Sequence, residues 1–161
     1  LDSLAHLLPQ AEVKIKWPND VMLNGKKTCG ILIENQLIGQ LLGRSVVGIG
    51  LNVNQRSQPV ASATSLAVEA GHEFDLNEVL SLLLEKLEAR YLQMKADDLN
   101  LLKSDYEQHL FWRNEVHDFV VGEQTVSGII KGVSEEGKLE VLIDDKPRQF
   151  AFKEINYGYT S

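Results

Sequence analysis

The chain has a single cysteine, Cys29, so an internal disulfide framework is excluded and a reducing, cytoplasmic setting is expected. It lacks any uninterrupted apolar run long enough to span a bilayer, and no signal-peptide pattern is visible. Positive charge is scarce: 16 Lys and Arg against 23 Asp and Glu leave a net charge of −7. That balance argues against a general nucleic-acid or membrane surface. The 4 histidines, His6, His72, His109 and His117, are scattered without metal-ligand spacing, and no metal site built from side chains is expected. No serine stands in a nucleophile-elbow context, so no hydrolase triad is supported. Internal repeats and low-complexity tracts are also missing.

The basic charge that exists is local. Lys14, Lys16, Lys26 and Lys27 crowd a stretch whose one acid is Asp20, which suits a small anionic ligand better than a polymer. At 161 residues the chain can hold one ordinary domain, or a medium unit plus a small one. Leu1, Leu4 and Leu8 follow helical spacing with no capping residue ahead of them. A helix cut in its middle, and hence a fragment, is the expectation.

Val13, Ile15 and Trp17 alternate with charged residues as in a half-buried strand. Asn24-Gly25 between apolar runs predicts a hairpin, because both central turn positions need positive φ. Further strands are expected over Leu37–Leu42 and Val46–Val53, giving an antiparallel or mixed sheet. Gln55–Ala63, with Pro59, reads as a surface loop, and Thr64–Gly71 as a short helix. Asp75 and Glu78 resemble a capping box opening a helix to about Met94. Its apolar stripe, Leu76, Val79, Leu80, Leu83, Leu84 and Leu87, is expected to be core. A second helix follows from about Ala96 to His109. Beyond Phe111-Trp112-Arg113 the period returns to two. Short runs at Val116–Val121, Val126–Val133, Leu139–Ile143 and Phe150–Ile155 predict a small barrel.

Several residues could carry chemistry, and each has a plain alternative. Lys16 and Lys27 flank the hairpin and could bring two ammonium groups to phosphate or carboxylate oxygens. Two solvated strand lysines would look the same. Asp20, after Pro18 and Asn19, could meet Mg²⁺ or orient a lysine, or simply form a turn. Gly48 and Gly50 alternate within a strand, which suits close approach of a ligand or a bulge. Gly48-Ile49-Gly50 is not a dinucleotide fingerprint, since no third spaced glycine follows. Asn52 and Asn54 are unusual inside a strand and could read a purine edge or cap a turn. Cys29 sits in an apolar strand pattern that favours packing over reactivity.

Together, Lys16-Trp17-Pro18-Asn19-Asp20, then Lys27 with Gly30-Ile31-Leu32-Ile33-Glu34, then Gly48-Ile49-Gly50-Leu51-Asn52-Val53-Asn54 resemble the biotin protein ligase family. Ala63-Thr64-Ser65-Leu66 is similar to it as well, and the resemblance covers nearly the whole chain. It implies an α/β (α+β) fold with a mixed, largely antiparallel, class II synthetase-like sheet, truncated at its N-terminus. Residues 1–112 would be the C-terminal part of the catalytic domain, and 113–161 an SH3-like β-barrel. The implied activity makes biotinyl-5′-AMP from biotin and ATP with Mg²⁺, then transfers biotin to a lysine of a carboxylase carrier domain.

The same resemblance assigns residues. Lys27 would bridge the biotin carboxylate and the α-phosphate, with Lys16 a second phosphate contact and Asp20 the acid of that motif. Gly30, Leu32, Gly48 and Gly50 would line the biotin pocket. Asn19 and Asn52 would lie on the nucleotide side, and Gln55–Ala63 would order over the adenylate. Two departures stand out. The family's Gly/Arg-rich biotin loop lies upstream of the Lys-Trp-Pro-Asn-Asp motif and is not found here. Gln55–Leu66 also holds no aromatic residue to stack an adenine. The chain alone is therefore expected to be no competent ligase, although its parent is. The rival expectations are a lipoate ligase, a non-catalytic protein-binding module, or a biotin-sensing repressor with a DNA-binding segment upstream. The resemblance also implies a homodimer through sheet edges as one option.

Overall fold

A computed structural model describes residues 1–39, 41–57 and 60–158. The chain divides into two compact units, Leu1–Lys86 and Leu87–Ser161, with the division falling inside a long helix. All strand pairs in both units are antiparallel. The only parallel contacts among the described residues are isolated bridges, so the sheet expected to be antiparallel or mixed is antiparallel, and so is the second sheet.

In the first unit a helix α1 (Asp2–Leu7) precedes four strands in the order β1-β2-β3-β4. These are β1 (Val13–Lys16), β2 (Asp20–Leu23), β3 (Lys26–Ile38) and β4 (Leu41–Leu51). Asn24 and Gly25 join β2 to β3 with φ of 49° and 78°, the geometry the Asn-Gly pair anticipated. The peptide between Trp17 and Pro18 is cis. Leu37–Leu42 is not a strand of its own. It spans the end of β3, the turn at Gly39 and the start of β4, because Leu37 pairs with Leu42 across one long hairpin. Gln40 in that run, and Gln58 and Pro59 in the expected loop, lie outside the described residues.

One sheet face is core. Val21, Leu23 and Cys29 pack there with Leu4, Leu66 and Val79, supported by half-buried Ile31, Ile49 and Leu51. Burial pushes the Cys29 thiol pKa up, which keeps it protonated and agrees with packing rather than reactivity. Helix α2 (Leu66–Ala70) begins at Ser65, whose Oγ accepts from Val68 N at 3.2 Å, and ends at Gly71. Helix α3 (Leu76–Lys95) is capped by Asp75, whose Oδ1 accepts from Asn77 N at 2.7 Å and Glu78 N at 3.2 Å. The stripe expected to be core is only partly so. Val79 is buried, whereas Leu76, Leu80, Leu84 and Leu87 are exposed. Helical spacing gives the face of a side chain but not what covers that face.

The second unit holds α4 (Leu99–Gln108) and a five-stranded sheet, order β8-β7-β6-β5-β9. Its strands are β5 (Val116–Val121), β6 (Gln124–Val133), β7 (Leu139–Ile143), β8 (Lys146–Phe150) and β9 (Ile155–Tyr157). Phe150–Ile155 is thus a connection between two strands rather than one strand. In β7 the alternation is plain: Leu139, Val141 and Ile143 are buried and the residues between them are not. Phe119, Ile130, Phe150 and Ile155 complete this core. Among the described residues β8 and β9 are edges, so the sheet shows the expected antiparallel strands without a demonstrated barrel closure. In α4, burial pushes the Tyr106 phenol up to about 12. Unfolded tyrosine ionises near 10, so between these values the unfolded chain binds fewer protons. Stability is expected to fall as pH rises above 10, which urea denaturation across that range checks.

Candidate functional site

The second face of the first sheet carries the candidate site, and strand register builds it. Lys16 pairs with Asp20, Asp20 with Gly30, and Gly30 with Gly50, which places these four residues in one row across four strands. Residues directly opposite in antiparallel strands share a face. Leu32 pairs with Gly48 one step along the same face, and Leu32 is exposed there. Gly30, Gly48 and Gly50 leave a strip of bare backbone. A Cβ added at Gly48 or Gly50 would meet nothing closer than 3.8 Å, so the strip is open rather than filled by the fold.

Lys27 reaches this face by a register fault. In a regular strand it would point the same way as Cys29, into the core. Here Val21 pairs with Cys29 but Met22 pairs with Lys27, leaving Thr28 as an extra residue on β3. The bulge turns Lys27 toward the glycine strip, and its Nζ lies 2.7 Å from Asp20 Oδ1. A Cβ at Gly30 would sit 3.5 Å from that Nζ, so the ion pair stands directly beside the strip. A cavity of about 230 Å³ is lined by Lys27, Thr28, Gly30, Gly50, Asn52 and Ala63.

The segment after β4 closes the other side of Lys27. Lys27 N donates to Ser62 O at 2.8 Å, and Thr64 N donates to Lys27 O at 2.9 Å. Asn52 N donates to Thr28 O at 2.9 Å, and its Nδ2 donates to Thr64 O at 3.1 Å. Asn54 exchanges two hydrogen bonds with the Phe74 backbone, at 2.8 and 3.0 Å, which makes it a loop clamp. Asn19 is also tied down. Its Nδ2 donates to Ile31 O at 2.7 Å and its own carbonyl accepts from Ile31 N at 2.8 Å. The row and the bulge together bring Lys16, Asp20, Gly30, Gly50 and Lys27 to one face, with Asn52 beside them and Asn19 bound to the backbone of β3.

Chemically, the site offers an ammonium held by a carboxylate, a second lysine in the same row, and an open backbone strip. That suits an anion attached to a flat or compact body. A family model for the Biotin/lipoate A/B protein ligase family matches residues 4–52, which include every residue of that row. The biotin–[acetyl-CoA-carboxylase] ligase of Mycobacterium tuberculosis is 37% identical over 142 residues, covering 86% of this chain and 52% of the relative. The solved biotin protein ligase of Aquifex aeolicus, in complex with biotin and ATP, superposes with a TM-score of 0.75 at 28% identity. That match covers 98% of this chain and 68% of the other.

The chain belongs to the biotin protein ligase family. Another relative of this family member, the bifunctional ligase/repressor BirA of Bacillus spizizenii, is 32% identical over 152 residues, 91% of this chain and 47% of that one. The chain spans about half the length of the curated relatives it matches. The bulge at Thr28 and the pairing of Ala63 with Lys27 carry no signal in the sequence. A bulge leaves no composition signal, and the 62–64 segment meets Lys27 across a long loop. In this biotin protein ligase family member, Thr28 Oγ1 is buried with no hydrogen-bond partner. Thr28→Val, a like-sized change that removes the unpaired hydroxyl, is expected to raise unfolding free energy by about 1 kcal/mol in urea denaturation.

Proposed function

We propose that this chain supplies the anion-neutralising half of an ATP-dependent biotin–protein ligase. The reaction has two steps. A biotin carboxylate oxygen attacks the α-phosphorus of ATP, pyrophosphate leaves, and biotinyl-5′-AMP forms. An acceptor lysine amine then attacks the acyl carbon, and AMP leaves with the bonding pair as the amide forms. In the first step two like charges must approach, so cationic groups placed in advance contribute most of the stabilisation.

Lys27 is the group for that task. Asp20 holds its ammonium at 2.7 Å in a fixed direction beside the glycine strip, which is the single observation that carries this reading. Lys16, opposite Asp20 in register, is the second phosphate contact. Gly30, Gly48 and Gly50 let a ring lie close to the backbone, with Leu32 as its apolar flank. Asn52 faces the nucleotide from the cavity wall. Asn19 acts on the nucleotide side by holding the Trp17–Asp20 turn against β3. Among the described residues no group of three or more His, Cys, Asp or Glu could hold a metal by itself. The donor set therefore fits Mg²⁺ carried in on ATP phosphates, with Asp20 the carboxylate at hand, as is usual for that ion. When bound it would spread the phosphate charge.

Residues 1–112 would belong to the catalytic portion, and 113–161, with strands β5 to β9, to an SH3-like domain that helps receive the carrier domain. No helix among the described residues is long and apolar enough to cross a membrane. The deciding experiment is calorimetric titration of the full-length protein with biotin, lipoate and ATP separately. Biotin and ATP should bind and lipoate should not. Preference for lipoate would move the assignment to the family's other substrate class, and indifference to all three would leave a protein-binding module.

A further inference from the structure

We infer that Glu69 is a positioning residue for Lys27. Glu69 lies in α2 and is not among the residues that line the cavity. Each of its carboxylate oxygens takes one short hydrogen bond: Oε2 from Asn24 Nδ2 and Oε1 from Thr64 Oγ1, both at 2.6 Å. These two partners hold Lys27 from different directions along the chain. Asn24 is the turn residue that feeds β3, and it is itself locked by exchanging hydrogen bonds with the Glu12 backbone, both at 2.9 Å. Thr64 is buried, and its N–H meets the Lys27 carbonyl.

The location matters because β4 does not reach Lys27. Pairing of β3 with β4 stops at Cys29 opposite Leu51, and residues 62–64 take over the vacated edge. Lys27 is thus held laterally by a loop return instead of a strand, next to a bulge that already relaxes the ladder. Glu69 joins that return to the hairpin turn. One carboxylate fixes both anchors, and with them the direction in which the Lys27 ammonium leaves the backbone. A carboxylate only accepts, so both partners must donate. A glutamine amide can still accept from Asn24 through its oxygen, while the Thr64 hydroxyl rotates to accept from its NH₂. Glutamine should therefore restore most of the bracket and alanine none of it.

The effect on turnover rests on the ligase reading; the effect on Lys27 geometry does not. The test uses the full chain as wild type, Glu69→Ala and Glu69→Gln. Amide hydrogen exchange is read at Lys27 and Thr64, and the ε-ammonium NMR signal of Lys27, paired with Asp20, is followed alongside. Glu69→Ala should speed exchange at those two amides by about tenfold or more and weaken the ammonium signal, with Val21 and Leu66 unchanged. Glu69→Gln should stay near wild type. In biotin-dependent ATP–pyrophosphate exchange by the whole protein, kcat should fall by about tenfold in Glu69→Ala with KM little changed, since a misplaced group costs orientation more than binding. Unchanged exchange at Lys27 and Thr64 overturns the inference, and so does equal acceleration throughout the first unit. If Glu69→Ala does not fold, Thr64→Val, which removes only the donor hydroxyl, is held to the same two amides. Absence of pyrophosphate exchange in the whole wild-type protein would sink the ligase reading alone.

Discussion

In the whole protein, Lys27→Ala is expected to lower biotin-dependent ATP–pyrophosphate exchange by roughly 10²–10³-fold, the loss typical when a preorganised group that meets developing charge is removed. Stability should barely change. The Lys27–Asp20 pair is partly open to solvent, with 48% and 20% side-chain exposure, and exposed pairs contribute about 0–1 kcal/mol. Activity and folding are therefore separable at this residue, which is unusual for a group hydrogen-bonded at 2.7 Å. Lys27→Arg should rescue little. A guanidinium is larger and planar, and it cannot place one point charge between two anions from the same backbone position. Exchange kinetics together with thermal denaturation check both halves. A melting shift as severe as the activity loss would mean that Lys27 serves the fold first.

Gly50→Val should separate the same two properties with opposite signs. Glycine weakens a strand, by about 0.5–1 kcal/mol relative to alanine, and valine is favoured there. The nearest atom to a new Cβ is the Gly30 carbonyl oxygen at 3.9 Å, so the fold has room for it. The variant should be as stable as the parent or more so. The added isopropyl would occupy the strip that a ligand ring needs, and overpacking of about 1–3 kcal/mol corresponds to roughly 10–100-fold weaker biotin binding. Gly48→Ala, with the smallest side chain at the neighbouring position, should show the same trend at lower amplitude. Retained affinity in Gly50→Val would place the ring elsewhere.

Much of this fold was legible because its signals are local. Asn24-Gly25 announced its hairpin, Asp75 its helix start, and the alternation of Leu139, Val141 and Ile143 its buried face. The site motifs were legible as well, since Lys16, Asp20, Gly30 and Gly50 do fall in one row. What escaped depended on partners distant in sequence. The leucines of α3 carry helical spacing, but exposure of Leu80 and Leu84 depends on what lies against them. Asn54 could read a purine edge or cap a turn, and its visible partner is the Phe74 backbone, in keeping with the second. An asparagine cannot reveal from its own position which donor or acceptor will reach it.

The extra residue at Thr28 gives the site a parity. In a regular ladder with one residue between them, Lys27 and Cys29 would share a face and the ammonium would enter the core. Absorbing Thr28 in the bulge puts the two on opposite faces, so the candidate site depends on strand register as much as on the chemistry of its residues. Substitution scanning would miss this, because the pairing and not the Thr28 side chain sets the face.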